Sequence, residues 1–96
     1  MPTLRWLPEA LGDLERLFAF LREHNPQAAA RAAAVIRQAA NLLLTSPRLG
    51  RPLADGSGRR ELVIPFAAGG YVLRYRLEAD DTVVIMRVWH SREQRE

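Results

Sequence analysis

Apolar positions recur at helical spacing through the first half of the chain and at strand spacing through the second. In the segment from Asn25 to Leu44, Ala28, Ala32, Val35, Ile36, Ala39, Leu42 and Leu43 fall on one side, while Arg31, Arg37, Gln38 and Asn41 fall mostly on the other. Asn25-Pro26 is a helix start: the asparagine side chain can cap the first free amides, and proline at the first helical position lacks only an N–H that has no partner there. A preceding pattern from Pro8 to about Glu23 carries a stripe of Ala10, Leu14, Leu17, Phe18 and Leu21. Only His24 and Asn25 separate the two patterns, so the helices are predicted to lie antiparallel as a hairpin. The alanines of the second helix let the larger side chains of the first come close.

Around this hairpin the pattern changes period. Thr3-Leu4-Arg5-Trp6 alternates and predicts a short first strand. After the second helix, Ser46-Pro47-Arg48-Leu49-Gly50-Arg51-Pro52 reads as a rigid turn, with Gly50 available for a left-handed conformation and Leu49 and Leu53 tucked beneath the hairpin. Ala54–Gly58 reads as a flexible tip. Three strand-like runs follow: Arg60–Ile64, ending at Pro65; Tyr71–Leu77, after a Gly69-Gly70 bend; and Thr82–Trp89, after an Asp80-Asp81 turn. The predicted fold is α+β, a single domain over residues 1–96, with an N-terminal strand and a helical hairpin covering one face of a small antiparallel sheet in the order β-α-α-β-β-β.

The helices can cover only one face of such a sheet. The simplest register puts Tyr71, Leu73, Tyr75 and Leu77 with Val84, Met86 and Val88 beneath them. Arg74, Arg76 and Arg87 would then stand on the open face beside Val83, Ile85 and Trp89; a slip of one residue reverses this. Such a face is either a landing site for a macromolecule or a surface covered by the arginine stems, with their heads on Glu61, Glu78 or water. Phe20 lies off the main stripe of its helix, to be covered by the loop after the hairpin or left for a partner.

Composition narrows the classes. The chain has no cysteine and only two histidines, so neither a disulfide framework nor a zinc site is expected, and no cofactor is indicated. No apolar run is long enough to span a bilayer and no leader-like segment opens the chain, which points to a cytoplasmic protein. Every cation is arginine, the formal net charge is +3 and the pI is near 10.5. GC-rich coding accounts for this as readily as an anionic partner does.

Several segments taken together resemble the ParE/RelE toxin superfamily, the toxin half of type II toxin–antitoxin pairs. These are W-L-P-E-A at Trp6–Ala10, E-H-N-P at Glu23–Pro26, S-P-R-L-G-R-P at Ser46–Pro52, R-E-L-V-I-P at Arg60–Pro65, Y-V-L-R-Y-R at Tyr71–Arg76 and V-I-M-R-V-W-H-S-R at Val84–Arg92. The resemblance covers nearly the whole chain. It implies a growth inhibitor neutralised by a small cognate antitoxin, ParD-like, whose acidic amphipathic C-terminal segment folds on binding. Arg74, Arg76, Arg87, Trp89, Val83, Ile85 and Phe20 are the expected antitoxin contacts.

Two mechanisms divide the superfamily. RelE-like members cut mRNA on the ribosome; ParE-like members poison DNA gyrase by binding it. For the first, Arg74, Arg76, Arg87, His90 and Arg92 would have to gather about a scissile phosphate. RelE-like enzymes generally carry a catalytic arginine where Val72 stands here, and there is no lysine to substitute. His90 is followed by Ser91 rather than an aromatic residue, and reads as a strand-end histidine with a structural hydrogen bond. The ParE-like, non-enzymatic reading follows, with gyrase as target and with nucleic acid contacted only through the antitoxin complex.

Overall fold

A computed structural model describes residues 2–93. The elements run β1 (Thr3–Trp6), α1 (Pro8–His24), α2 (Pro26–Leu42), β2 (Arg51–Pro52), β3 (Arg60–Phe66), β4 (Gly69–Leu77) and β5 (Thr82–His90). The strands form one sheet in the order β1-β5-β4-β3-β2, with the helical hairpin on one face.

The hairpin hinges on Asn25 alone. Its backbone N–H closes α1 on the Leu21 carbonyl, and its side chain accepts the Ala28 N–H at 3.0 Å to open α2. The buried line of α2 is Ala29, Ala32, Ile36 and Ala40, continued by Leu43 just past its end. It is rotated by about one residue from the expected stripe: Ala28, Val35 and Ala39 sit at its edge, and Leu42 is half exposed. The rotation follows from packing against α1 and β3 at once, which a single stripe does not encode. Burying Ile36 and Leu43 stabilises the fold by about 1.5–3 kcal/mol each.

The sheet is mixed rather than wholly antiparallel. β3, β4 and β5 form the expected meander, but β1 pairs in parallel with β5, Thr3 opposite Thr82 and Trp6 opposite Ile85. The crossover from β1 is made by the helices, and its return point is set by tertiary packing. The S-P-R-L-G-R-P segment also supplies a strand: Arg51 and Pro52 pair with Glu61 and Arg60 as a short edge. Pro65 lies inside β3, past the end of β2, where its missing N–H faces no neighbour.

Tight approach, not a left-handed backbone, explains Gly50. Its N–H donates to the Tyr75 hydroxyl at 2.8 Å, and that hydroxyl donates to the Pro47 carbonyl at 2.8 Å. A Cβ at Gly50 would stand 2.6 Å from the Tyr75 ring and 3.0 Å from the Glu61 carbonyl oxygen. Leu49 remains half exposed instead of tucking in. The turn between β3 and β4 is Ala67-Ala68, with Ala67 at φ 54°, and Gly69-Gly70 already belongs to β4. The Ala54–Gly58 tip is organised by Asp55, which accepts the Ser57 N–H and the Arg59 guanidinium; these hydrogen bonds hold its carboxyl below the usual range.

Gly50→Ala is expected to destabilise the fold by about 1–3 kcal/mol, because Tyr75 is fully buried and cannot swing away. Urea unfolding of the two proteins measures the difference; an unchanged midpoint would contradict the close fit.

Candidate functional site

The arginine-bearing strands contain an irregularity that no turn residue announces. Arg74 lies opposite Arg87, but Tyr75 lies opposite Ile85, so β5 carries one extra residue at Met86. This bulge reverses the alternation along β5. On one side of it, Leu73 and Val88 share the helix-covered face; on the other, Tyr75 with Ile85 and Leu77 with Val83 share that same face. Val83 and Ile85, expected on the open face, are therefore fully buried core residues and present no surface to a partner. Val84, expected beneath the helices, lies opposite Arg76 on the other face and is covered there.

The bulge is held by α1. Asp13 lies on the apolar stripe of that helix, three residues after Ala10 and four before Leu17, and is 5% exposed. Its carboxylate accepts the Val88 N–H at 2.9 Å and both Nε and Nη2 of Arg87, at 2.8 and 2.9 Å. A bidentate pair of this kind is among the strongest of polar contacts, and it drives the Arg87 pKa further up. The sequence reading missed Asp13. An acid at a helix position whose neighbours on the same stripe are apolar is the signal that marks it.

Arg74 and Arg76 of β4 are also paired within the chain. Arg74 donates from Nε and Nη2 to Glu61, at 3.0 and 2.6 Å, and its guanidinium stacks 4.9 Å from the Trp89 ring centroid. Trp89 is consequently only 6% exposed, although it does lie on the open face opposite Val72. Arg76 pairs with Glu78 at 3.3 Å. Arg74 and Arg87, like charges directly opposite one another, are tolerated because each has its own carboxylate. The expected free trio of arginines is thus three separate ion pairs, and covering of the sheet by arginine stems is what the structure shows for Arg74 and Trp89.

His90 is turned the other way. It lies opposite Tyr71 on the helix-covered face, edge-on to that ring at 5.5 Å. Its Nδ1 accepts the Arg92 N–H at 3.1 Å, which leaves Nε2 as the donor of the neutral ring. His90 and Arg92 therefore do not meet Arg74 and Arg76, which occupy the opposite face.

Where His90 points, a groove opens between the second half of α1 and the β3–β4 turn. It has a volume of about 640 Å³ and is lined by Leu17, Phe20, Leu21, Phe66, Tyr71 and His90, with Arg16, Arg92 and Glu93 at its rim. Phe20 is 65% exposed, so the loop after the hairpin does not cover it. Burial raises the Tyr71 hydroxyl pKa, keeping it neutral. Among the described residues, no group of three His, Asp or Glu side chains could hold a metal ion, and no helix is long and apolar enough to cross a membrane.

Comparison with known proteins agrees with this architecture. The family described as the ParE toxin of the type II toxin–antitoxin system parDE matches residues 4–95. Toxin RelE3 of Caulobacter vibrioides is 42% identical over 95 residues, 99% of this chain and 100% of that protein. Toxin RelE1 of the same organism is 41% identical over 83 residues, 86% of each chain. Among solved structures, the chromosomal ParDE TA system from P. aeruginosa superposes with a TM-score of 0.76 at 22% identity, over 94% of this chain and 96% of that one, which is a likeness of fold.

Asp13→Ala should cost about 1–3 kcal/mol by stranding the buried Val88 N–H, and Arg87→Ala at least as much by leaving a carboxylate that is 6% exposed without its cation. Denaturant midpoints of the two variants check this; an unchanged midpoint for Asp13→Ala would show that Asp13 does not brace the bulge.

Proposed function

The chain belongs to the ParE toxin family of type II toxin–antitoxin systems, and we propose that within it the protein arrests growth by binding DNA gyrase, not by cutting RNA. A cognate antitoxin neutralises it. The observation that supports this most is the division of the candidate nuclease residues between the two faces of the sheet. Arg74 and Arg76 lie on one and His90 on the other, so these groups do not converge on one phosphate.

The electrostatics point the same way. Cleaving a phosphodiester through its 2′-OH calls for a base, an acid and cations aimed at the developing charge. Arg74, Arg76 and Arg87 are aimed at Glu61, Glu78 and Asp13 instead. Recruiting them to RNA would strip three carboxylates of their partners, a large penalty for the two nearly buried ones, Glu61 and Asp13. Val72, where RelE-like enzymes generally carry an arginine, is flanked on its own face by Val63 and Trp89. A protein target needs none of this chemistry; it needs exposed shape and apolar surface, which the Phe20 groove supplies.

The names of the Caulobacter relatives favour a second reading, a ribosome-dependent mRNA endoribonuclease of RelE type. Inducing the chain alone in cells separates the two. Gyrase poisoning gives filamentation, DNA breaks and an SOS response with transcripts intact. Codon-positioned mRNA cleavage that disappears in His90→Ala would establish the nuclease and end the gyrase reading.

A further inference from the structure

The chain contains one Asp-Gly dipeptide, Asp55-Gly56, at the tip between β2 and β3. An aspartate followed by glycine is open to backbone isomerisation, because glycine has no Cβ to shield its amide nitrogen from the carboxyl group one residue before. The turn needs both residues. Gly56 sits at φ 73°, in the left-handed region, and Asp55 supplies the oxygen that accepts the Ser57 N–H at 3.0 Å. The second carboxylate oxygen accepts from Nη2 of Arg59 at 2.8 Å. Arg59 in turn donates to the Ser57 hydroxyl, from Nε at 3.0 Å and from its backbone N–H at 3.1 Å. Both oxygens of Asp55 are therefore engaged, and the two residues that engage them are tied to each other.

We propose that Asp55-Gly56 is a site of spontaneous isoaspartate formation, and that the Ser57–Arg59 clamp sets its rate by holding the carboxylate away from the Gly56 nitrogen. The step balances with water alone. The Gly56 nitrogen gives up its proton and attacks Cγ of Asp55; one carboxyl oxygen leaves as water, and a five-membered succinimide closes. Water then opens the ring at the Asp55 main-chain carbonyl. The chain now runs through Cγ with one extra methylene, the former main-chain carbonyl is a free carboxylate, and the mass is unchanged. Ring closure needs the carboxyl group to turn off its partners and its departing oxygen to carry a proton. The clamp opposes both: Ser57 and Arg59 hold the two oxygens in place, and their hydrogen bonds keep the group ionised by holding its pKa below the usual carboxylate range. The pair is a surface one, with side-chain exposures of 34% for Arg59 and 48% for Asp55, so it is weak enough to open, and the reaction proceeds from the opened fraction. The consequence is local to the sheet edge. β2 is only Arg51 and Pro52, and beyond it the tip is closed by the Leu53 N–H on the Arg59 carbonyl at 2.9 Å. A longer backbone at residue 55 loosens that closure and with it the short edge strand.

The test is prolonged warm incubation of the full chain at neutral pH. Peptide mapping separates aspartyl from isoaspartyl forms of equal mass, and labelling by an isoaspartyl methyltransferase gives a second readout. Isoaspartate should accumulate at residue 55 and not at Asp80 or Asp81, whose following residues carry a Cβ. It should form several-fold more slowly in the folded chain than in a free peptide of residues 53–60. Arg59→Ala should raise the rate several-fold, Arg59→Lys should fall between that variant and the parent chain, and Arg51→Ala should leave the rate unchanged. Circular dichroism establishes that each variant is folded. In urea the parent chain should reach the rate of the peptide, which separates the clamp from any effect of local sequence. A folded chain that isomerises as fast as the peptide, an Arg59→Ala rate equal to that of the parent, or an equal rise in Arg51→Ala would each overturn the clamp. Absence of isoaspartate at residue 55 from the parent and Arg59→Ala alike would overturn the site.

Discussion

One carboxylate fixes the arrangement of this protein. Asp13 reaches from α1 to the bulge in β5 and takes both the Val88 amide and the Arg87 guanidinium. A bulge shifts side-chain parity by one, so everything on β5 before Met86 faces opposite to what simple alternation gives. Val83 and Ile85 join Val88 in the core because of it. The contact also ties the helical layer to the sheet at the strand that pairs with both β1 and β4.

The same economy governs the other charges of the sheet. Every Lys or Arg position in the chain is arginine, and the arginines of β4 and β5 each pair with a carboxylate of the chain. Arg74 lies over Trp89 and against Glu61, an arrangement that shields the indole and leaves both charged side chains mostly buried. The fold leaves one apolar trough open beside the exposed Phe20, at the seam between α1 and the β3–β4 turn. A toxin that works by binding needs a surface of this kind.

Inhibition and neutralisation then become questions of which partner reaches which surface. At the rim of the groove Arg16 is paired with the chain's own Glu93.

The sequence by itself determined the hairpin, its hinge at Asn25-Pro26, the three-strand meander and the family. Each rests on local rules: capping, helical and strand periodicity, and short turns. It also predicted that arginine stems could cover the sheet. Three features were decided only by tertiary structure. The bulge at Met86 involves no Gly or Pro and exists because Asp13, far away in sequence, binds Val88; hence the misplacing of Val83 and Ile85. The parallel pairing of β1 depends on where the helices return the chain, which loop lengths do not state. The separation of His90 from Arg74 and Arg76 is a matter of which face each strand position shows. Periodicity records that faces alternate; it takes the contacts of distant residues to say where the alternation breaks.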